Sequence, residues 1–257
     1  LDAVVGPYNS GVGQQTLPLF IAAGLVPLRL TSADSTAGMG YTLQPMTAQI
    51  APVATDAIVK WAKATSVAII VDDTQAYTKD AGAAMATSLP AAGVQITSTI
   101  TITPGASSYA DAVATAIASK PQLVYVVAYY PEAGLIAKEM ADTHTSVKCL
   151  ADYGAYDNAY VTTAGAAAAA ACPVVGVPAP SDFPGGQAHV DAFTKKFHVA
   201  PGAWSPYTYD SVLLLADAIG RAGGTGSAEL SAALAATKGW KGWTGTVAFS
   251  SPSGDRV

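Results

Sequence analysis

Residues Leu123–Met140 read LVYVVAYYPEAGLIAKEM, and this stretch decides the fold class. It opens on an apolar, β-branched and aromatic run with little alternation, the pattern of a strand covered on both faces in a parallel sheet. Pro131 falls where a first helical residue would sit, with Glu132 beside it in the positive first turn. Leu135, Ile136 and Met140 then continue as an apolar helical stripe. The spacing predicts a strand, a two-tyrosine turn and a helix. Tyr129 and Tyr130 fall at the carboxyl end of the strand, where open parallel sheets bind ligands. Capping of the sheet edge is the plainer reading of such a pair.

The same alternation recurs on both sides. Leu1–Val5 is an apolar run ending in Gly6-Pro7-Tyr8-Asn9-Ser10-Gly11, followed by helical spacing to about Ala23. Asn9 or Ser10 is a suitable N-cap, and the N–H groups behind it form an anion site. Leu25–Leu30 is a second strand leading into Thr31-Ser32-Ala33-Asp34-Ser35-Thr36. Ser66–Val71 is a buried-type strand ending in Asp72-Asp73-Thr74-Gln75-Ala76-Tyr77, and Val94–Ile102 is another. Ser108 with Asp111 resembles a capping box opening a helix to about Ser119. Val147–Leu150 ends in Ala151-Asp152-Tyr153-Gly154, and Val174–Val177 reads as a short strand. Beyond it, Pro178, Pro180, Pro184, Gly185 and Gly186 mark a crossing. Helices follow from about Gln187 to Phe197, from Ser205-Pro206, and from Ser227 to about Thr237, with a last strand at Thr246–Phe249. The expectation is parallel α/β architecture in two lobes with a cleft.

Composition narrows the function. The chain has 257 residues, half of them apolar, and its 13 Lys+Arg against 18 Asp+Glu include no basic block. Such a chain buries a sizeable core, and nucleic acid is not an expected partner. The longest apolar run, Ala164–Pro180, is alanine-rich and broken by Pro173 and Gly176, which suits a helix end better than a bilayer span. No signal segment is visible in the given sequence. Cys149 and Cys172 are too few for a zinc motif; a disulfide and two buried thiols both fit them.

Catalytic signatures are sparse. Gly11-Val12-Gly13 lies between a strand and a helix, with Asp34 near the spacing of a ribose-binding acid, but Thr16 stands at the third glycine position. Four residues, Pro7 to Ser10, replace the tight turn that motif needs. No GxSxG, HExxH or P-loop pattern occurs, and His144, His189 and His198 lack partners at metal-ligand spacing. Nothing in the sequence asks for a cofactor or metal. What remains is a set of polar and aromatic groups at strand ends: Ser10, Ser32, Asp34, Tyr77, Tyr129 and Asp152. A small zwitterion needs such groups, with Ser10 and nearby N–H groups for a carboxylate and Asp152 or Asp34 for an ammonium. Taken singly, each is equally a loop turn, a cap or a solvated acid.

Five segments in order, VVGPYNSG (Val4–Gly11), GLVPLRLTSADST (Gly24–Thr36), IIVDDTQAY (Ile69–Tyr77), VAYYPEAG (Val127–Gly134) and YTYDSVLLLADAI (Tyr207–Ile219), resemble the type I periplasmic binding proteins of the branched-chain amino acid class. These are solute receptors of ABC importers, and the resemblance spans essentially the whole chain. It implies two Rossmann-like lobes joined by three crossings, with ligand in the cleft. Residues 1–52 with 178–238 would form lobe I, and 53–177 with 239–257 lobe II. It implies a non-enzymatic receptor for an amino acid or related carboxylate, working with an ABC permease. The location would be periplasmic or extracellular, with a lipid anchor as an option. A ligand sensor of the same fold is the alternative, and a nucleotide-dependent enzyme is a third.

Carried over by residue, Ser10 beside Asn9 matches the carboxylate-binding hydroxyl, and Ser32 and Ala33 match the loop offering backbone groups. Tyr77 and Tyr129 match tyrosines of the opposite lobe, and Asp152 the acid near the amino group. In another register that acid position falls on Tyr153, and Ala33 or Asp34 stands where the family usually has threonine. Tyr8, Trp204 and Tyr207 are placed to shape a side-chain pocket. Family members also begin with further strand–helix units and end with another strand, so an incomplete first-lobe sheet is expected here.

Overall fold

A computed structural model describes residues 1–257. The chain divides into two compact units, residues 1–46 with 177–257, and residues 47–176.

The first unit opens with β1 (Ala3–Val5), α1 (Ser10–Ala22) and β2 (Val26–Leu28). β1 and β2 pair in parallel from Ala3–Val26 to Val5–Leu28. The ladder continues past the strands through Gly6 N–H to the Leu28 carbonyl (2.8 Å) and Leu30 N–H to the Pro7 carbonyl (3.0 Å). The two strand-end loops are thereby held side by side. Gly13 is needed on α1, because a Cβ there would stand 2.7 Å from Thr31 Cγ2. The glycine cluster at residues 11–13 thus has a packing reason, close approach of α1 to the second loop.

The second unit contains α2 (Thr47–Asp56), β3 (Ser66–Asp72), α3 (Ala76–Ala91), β4 (Gln95–Ile102), α4 (Ala110–Ala118), β5 (Leu123–Val127), α5 (Tyr130–Asp142) and β6 (Lys148–Ala151). Two short helices follow, α6 (Asn158–Ala164) and α7 (Ala166–Ala171). Its sheet has the order β4-β3-β5-β6 and is parallel throughout. Every residue of β5 is buried, as its unbroken apolar run requires. Val124, Val126 and Ala128 face a core with Ile136 and Met140, so period-2 alternation turns Tyr125, Val127 and Tyr129 to the other face. Cys149 and Cys172 form a disulfide across 23 residues. The expected strand at Val174–Val177 is reduced to a single bridge, Ala151 to Val174. Ser108 accepts from Ala110 N–H at 3.2 Å, but its reciprocal partner is Glu139 of α5 at 2.6 Å, not Asp111.

The chain then returns to the first unit for α8 (Gly186–Phe197), α9 (Ser205–Ala222), α10 (Ser227–Ala235) and the antiparallel hairpin β7 (Lys238–Gly242)–β8 (Gly245–Ala248). Leu28, Leu43, Phe183, Tyr207, Leu214, Leu234, Trp243 and Val247 share one core. Residues 239–257, expected in lobe II, therefore pack in the first unit. The reason is Asp210 on α9, wholly buried, which accepts from Trp243 N–H (2.8 Å), Thr244 N–H (2.6 Å) and the Thr244 hydroxyl (2.7 Å). With the hairpin pinned there, the chain passes between units twice, at residues 46–47 and 176–177, instead of the three crossings expected. No helix is long and apolar enough to cross a membrane.

Candidate functional site

Each unit brings its expected site residues together. In the first, Asn9 caps α1 by accepting from Val12 N–H at 3.1 Å, so Ser10 is the first helical residue. Ser10 is buried, and its Oγ accepts from the N–H groups of Ser32 (3.3 Å) and Ala33 (3.2 Å). Both backbone groups must donate, so the Ser10 hydroxyl proton remains available to an acceptor. Gln14 Nε2 donates to Ser35 Oγ at 2.7 Å, adding a second tie between α1 and this loop. Asp34 is exposed at the start of a 3₁₀ turn, Asp34–Thr36. Tyr8 is half exposed and lies 6.1 Å from the Trp204 ring, which in turn lies 6.2 Å from Tyr207, so the expected aromatic trio is assembled.

Two groups behind this loop escape sequence reasoning. Arg29 is wholly buried and pairs with Asp255, while its Nη1 reaches Thr31 Oγ1 and Thr36 Oγ1, both at 3.4 Å. Burial pulls the guanidinium below its ordinary value, opposed by the Asp255 charge. Thr31 and Thr36 share a 2.7 Å hydroxyl contact, and Thr36 donates to the Ala33 carbonyl at 2.7 Å, which fixes the loop's shape. Gln44 accepts from the Ser32 hydroxyl at 3.1 Å, and its buried Nε2 has no hydrogen-bond partner. An amide nitrogen left unpaired beside Ser32 is a second donor available to an anion.

The second unit gathers Tyr77, Tyr129, Asp152 and Tyr153 at the carboxyl ends of β3, β5 and β6, with Tyr125 reaching Asp152 from the middle of β5. Tyr77 follows the β3 loop on α3, Tyr129 caps α5, and Asp152 ends β6 and caps the turn Tyr153–Ala155. The Tyr77 ring lies 6.1 Å from both Tyr129 and Tyr153. Gly154 permits this, since a Cβ there would meet Tyr77 Cε1 at 3.0 Å. Asp152 is 1 % exposed. Its Oδ2 accepts from the Tyr77 hydroxyl (2.7 Å) and Gly154 N–H (3.2 Å), and its Oδ1 from the Tyr125 hydroxyl (2.5 Å).

Burial raises the Asp152 carboxyl above its ordinary value, partly offset by the donated hydrogen bonds. Burial, then the Asp152 charge, pushes Tyr77 and Tyr125 well up, and Tyr129 up to about 12 through burial, Asp72 and Asp152. These phenols therefore stay protonated at neutral pH. Tyr125 was not visible as a site residue because a tyrosine inside an apolar run reads as core. Its shared parity with Tyr129 was the available signal. No group of three His, Cys, Asp or Glu side chains converges to hold a metal.

The first unit thus offers hydrogen-bond donors to an anion, and the second offers tyrosine rings and oxygens over a buried carboxylate. A leucine-binding protein (LivK) from Thermotoga maritima superposes with a TM-score of 0.93 at 18% identity, covering 100% of this chain and 74% of its own. A branched-chain amino acid substrate-binding protein (LivJ) from Streptococcus pneumoniae, in complex with isoleucine, gives 0.86 at 22%, covering 100% and 74%. A solute-binding protein from Rhodopseudomonas palustris BisB5, in complex with 3,4-dihydroxybenzoic acid, gives 0.80 at 19%, covering 100% and 72%. No curated protein matches the sequence. The family model described as periplasmic binding protein matches residues 1–256. The chain belongs to the periplasmic binding protein family and has the type I fold of the branched-chain amino acid-binding class.

Proposed function

We propose that this chain is the solute receptor of an ABC importer, and that it binds a small amino acid or related carboxylate for delivery to a membrane permease. Members of its family are periplasmic or extracellular solute-binding proteins, which sets the expected location and argues against catalysis. The observation that carries the carboxylate is Ser10. Its hydroxyl proton stays available at the amino end of α1 because Ser32 and Ala33 occupy its oxygen as donors. The ligands named for the relatives, isoleucine and 3,4-dihydroxybenzoic acid, share a carboxyl group, which supports the same reading. Tyr77, Tyr129 and Tyr153 supply ring faces for an apolar body.

A thermal-shift screen of the purified protein against amino acids, aromatic carboxylates and amides tests this. Ligand at about 100 times its dissociation constant adds about 2.7 kcal/mol, a rise of about 5–10 °C for a chain of this size. A rise with carboxylates is the expected result. Rises confined to compounds without a carboxyl group would overturn the proposal.

A further inference from the structure

Arg29 occupies a place that stability alone does not explain. It lies in the run VPLRL, Val26–Leu30, all of whose residues are buried. Burying a guanidinium against a carboxylate carries a desolvation cost that an apolar pair of similar volume avoids. Through Nη2 the guanidinium is held by Asp255 and the Ser253 carbonyl. Through Nη1 it reaches the Thr31 carbonyl (3.5 Å) and the hydroxyl oxygens of Thr31 and Thr36 (both 3.4 Å). It therefore ties the turn at residues 253–255 to the loop beside Ser10.

The protons along this path have one possible direction. A guanidinium can only donate, so both hydroxyl oxygens accept from Arg29. Thr36 gives its single proton to the Ala33 carbonyl at 2.7 Å, and the Thr36 N–H donates to the same oxygen at 2.9 Å. Thr31 is then the donor in its 2.7 Å contact with Thr36. The path runs from Asp255 through Arg29 and Thr36 to Ala33, and Arg29, Thr31, Ala33 and Thr36 are all wholly buried. Ala33 is also one of the two residues whose N–H groups occupy Ser10 Oγ. We propose that Arg29 and Thr36 are positioning residues for carboxylate recognition. Anchored on Asp255, they hold the backbone at Ala33 so that Ser32 and Ala33 donate to Ser10, which leaves the Ser10 proton for the ligand. This rests on the receptor reading above and deepens it.

The test compares wild type, Thr36→Val and Thr36→Ser by calorimetry, using leucine with leucinol and benzoate with benzyl alcohol. In each pair the second compound carries a hydroxymethyl group in place of the carboxylate. Thr36→Val keeps the shape of the side chain and deletes the hydroxyl that links Arg29 to Ala33. It should weaken the carboxylate about 10-fold, the scale of one hydrogen bond. The alcohol should change less than about threefold, the scatter between sites that share no partner. Thr36→Ser keeps the hydroxyl and should retain the wild-type preference for the carboxylate.

A purely structural part for Thr36 lowers the melting midpoint and leaves the preference within each pair unchanged, which would overturn the proposal while the receptor reading stands. Loss of the preference in Thr36→Ser as large as in Thr36→Val would also overturn it, since the hydroxyl would then not be the link. A wild type that binds none of the four compounds would count against the receptor reading itself, and this inference would fall with it. Asp255→Asn decides the question if Thr36→Val does not fold. It loosens the guanidinium at its partly exposed end without touching the loop, and the same narrowing is expected; an unchanged preference would overturn the proposal.

Discussion

The Tyr77 hydroxyl donates to Asp152 Oδ2 at 2.7 Å, and this contact orders the tyrosine cluster of the second unit. It joins a side chain of α3 to the end of β6 across 75 residues of sequence. The carboxylate at its centre is buried, which is a cost to the fold.

That cost has a sign. Burial raises the Asp152 pKa in the folded protein above its unfolded value. A group of this kind contributes stability below its unfolded pKa, and that contribution is lost as pH rises through the folded value. Asp152→Asn should therefore flatten the decline in thermal midpoint from about pH 4 upward, the ordinary carboxylate range. Melting curves from about pH 4 to about pH 7 measure it. A midpoint that falls more steeply in the variant than in wild type would contradict the assignment.

Ser10→Ala should weaken the amino acid and its deaminated acid by the same factor. About tenfold is expected for loss of one hydrogen bond to a charged group. Calorimetry with leucine and 4-methylpentanoate reads the factor. Selective loss of the amino acid would place Ser10 at the wrong end of the ligand.

Asp210→Ala should free the β7–β8 hairpin from α9, since three hydrogen bonds converge on that carboxylate. Their loss costs about 3 kcal/mol or more, given the unsatisfied donors left behind. Hydrogen exchange should quicken at Trp243 and Thr244 while the β3–β6 sheet stays protected. Uniform protection would show that the hairpin is held by something else.

Reduction of Cys149–Cys172, or replacement of both by serine, should destabilise the second unit. A loop of 23 residues corresponds to about 3 kcal/mol in the chain-entropy model. Unfolding with and without a thiol reductant checks this. An unchanged midpoint would contradict it.

Much of the fold was legible because its strongest elements are locally encoded. β5 declares itself through an unbroken apolar run, and α5 through a proline, an acid and a 3.6-residue stripe. The strand ends carrying Ser10, Ser32, Tyr77, Tyr129 and Asp152 follow from those assignments. Other features depend on partners remote in sequence. Arg29 sits in an apolar run, and nothing local announces that Asp255, 226 residues on, neutralises it. Tyr125 looks like core until Asp152 is placed beside it. β7 reads KGWKG, too polar and glycine-rich to suggest a strand, and its place in the first unit is set by Asp210. Gln44 was hidden for the same reason, since its role depends on which side of Ser32 it meets.

The central claim is that the ligand's carboxyl group is what the first unit recognises. The most direct measurement is calorimetric titration of the wild-type protein with leucine and with isopentylamine, which keeps the side chain and the amine but lacks the carboxylate, alongside benzoate and benzyl alcohol. Binding of a carboxylate with loss of at least about 100-fold for its partner, as removal of a charge-assisted site implies, is the result expected. Equal or tighter binding of the compounds without the carboxylate would contradict the account.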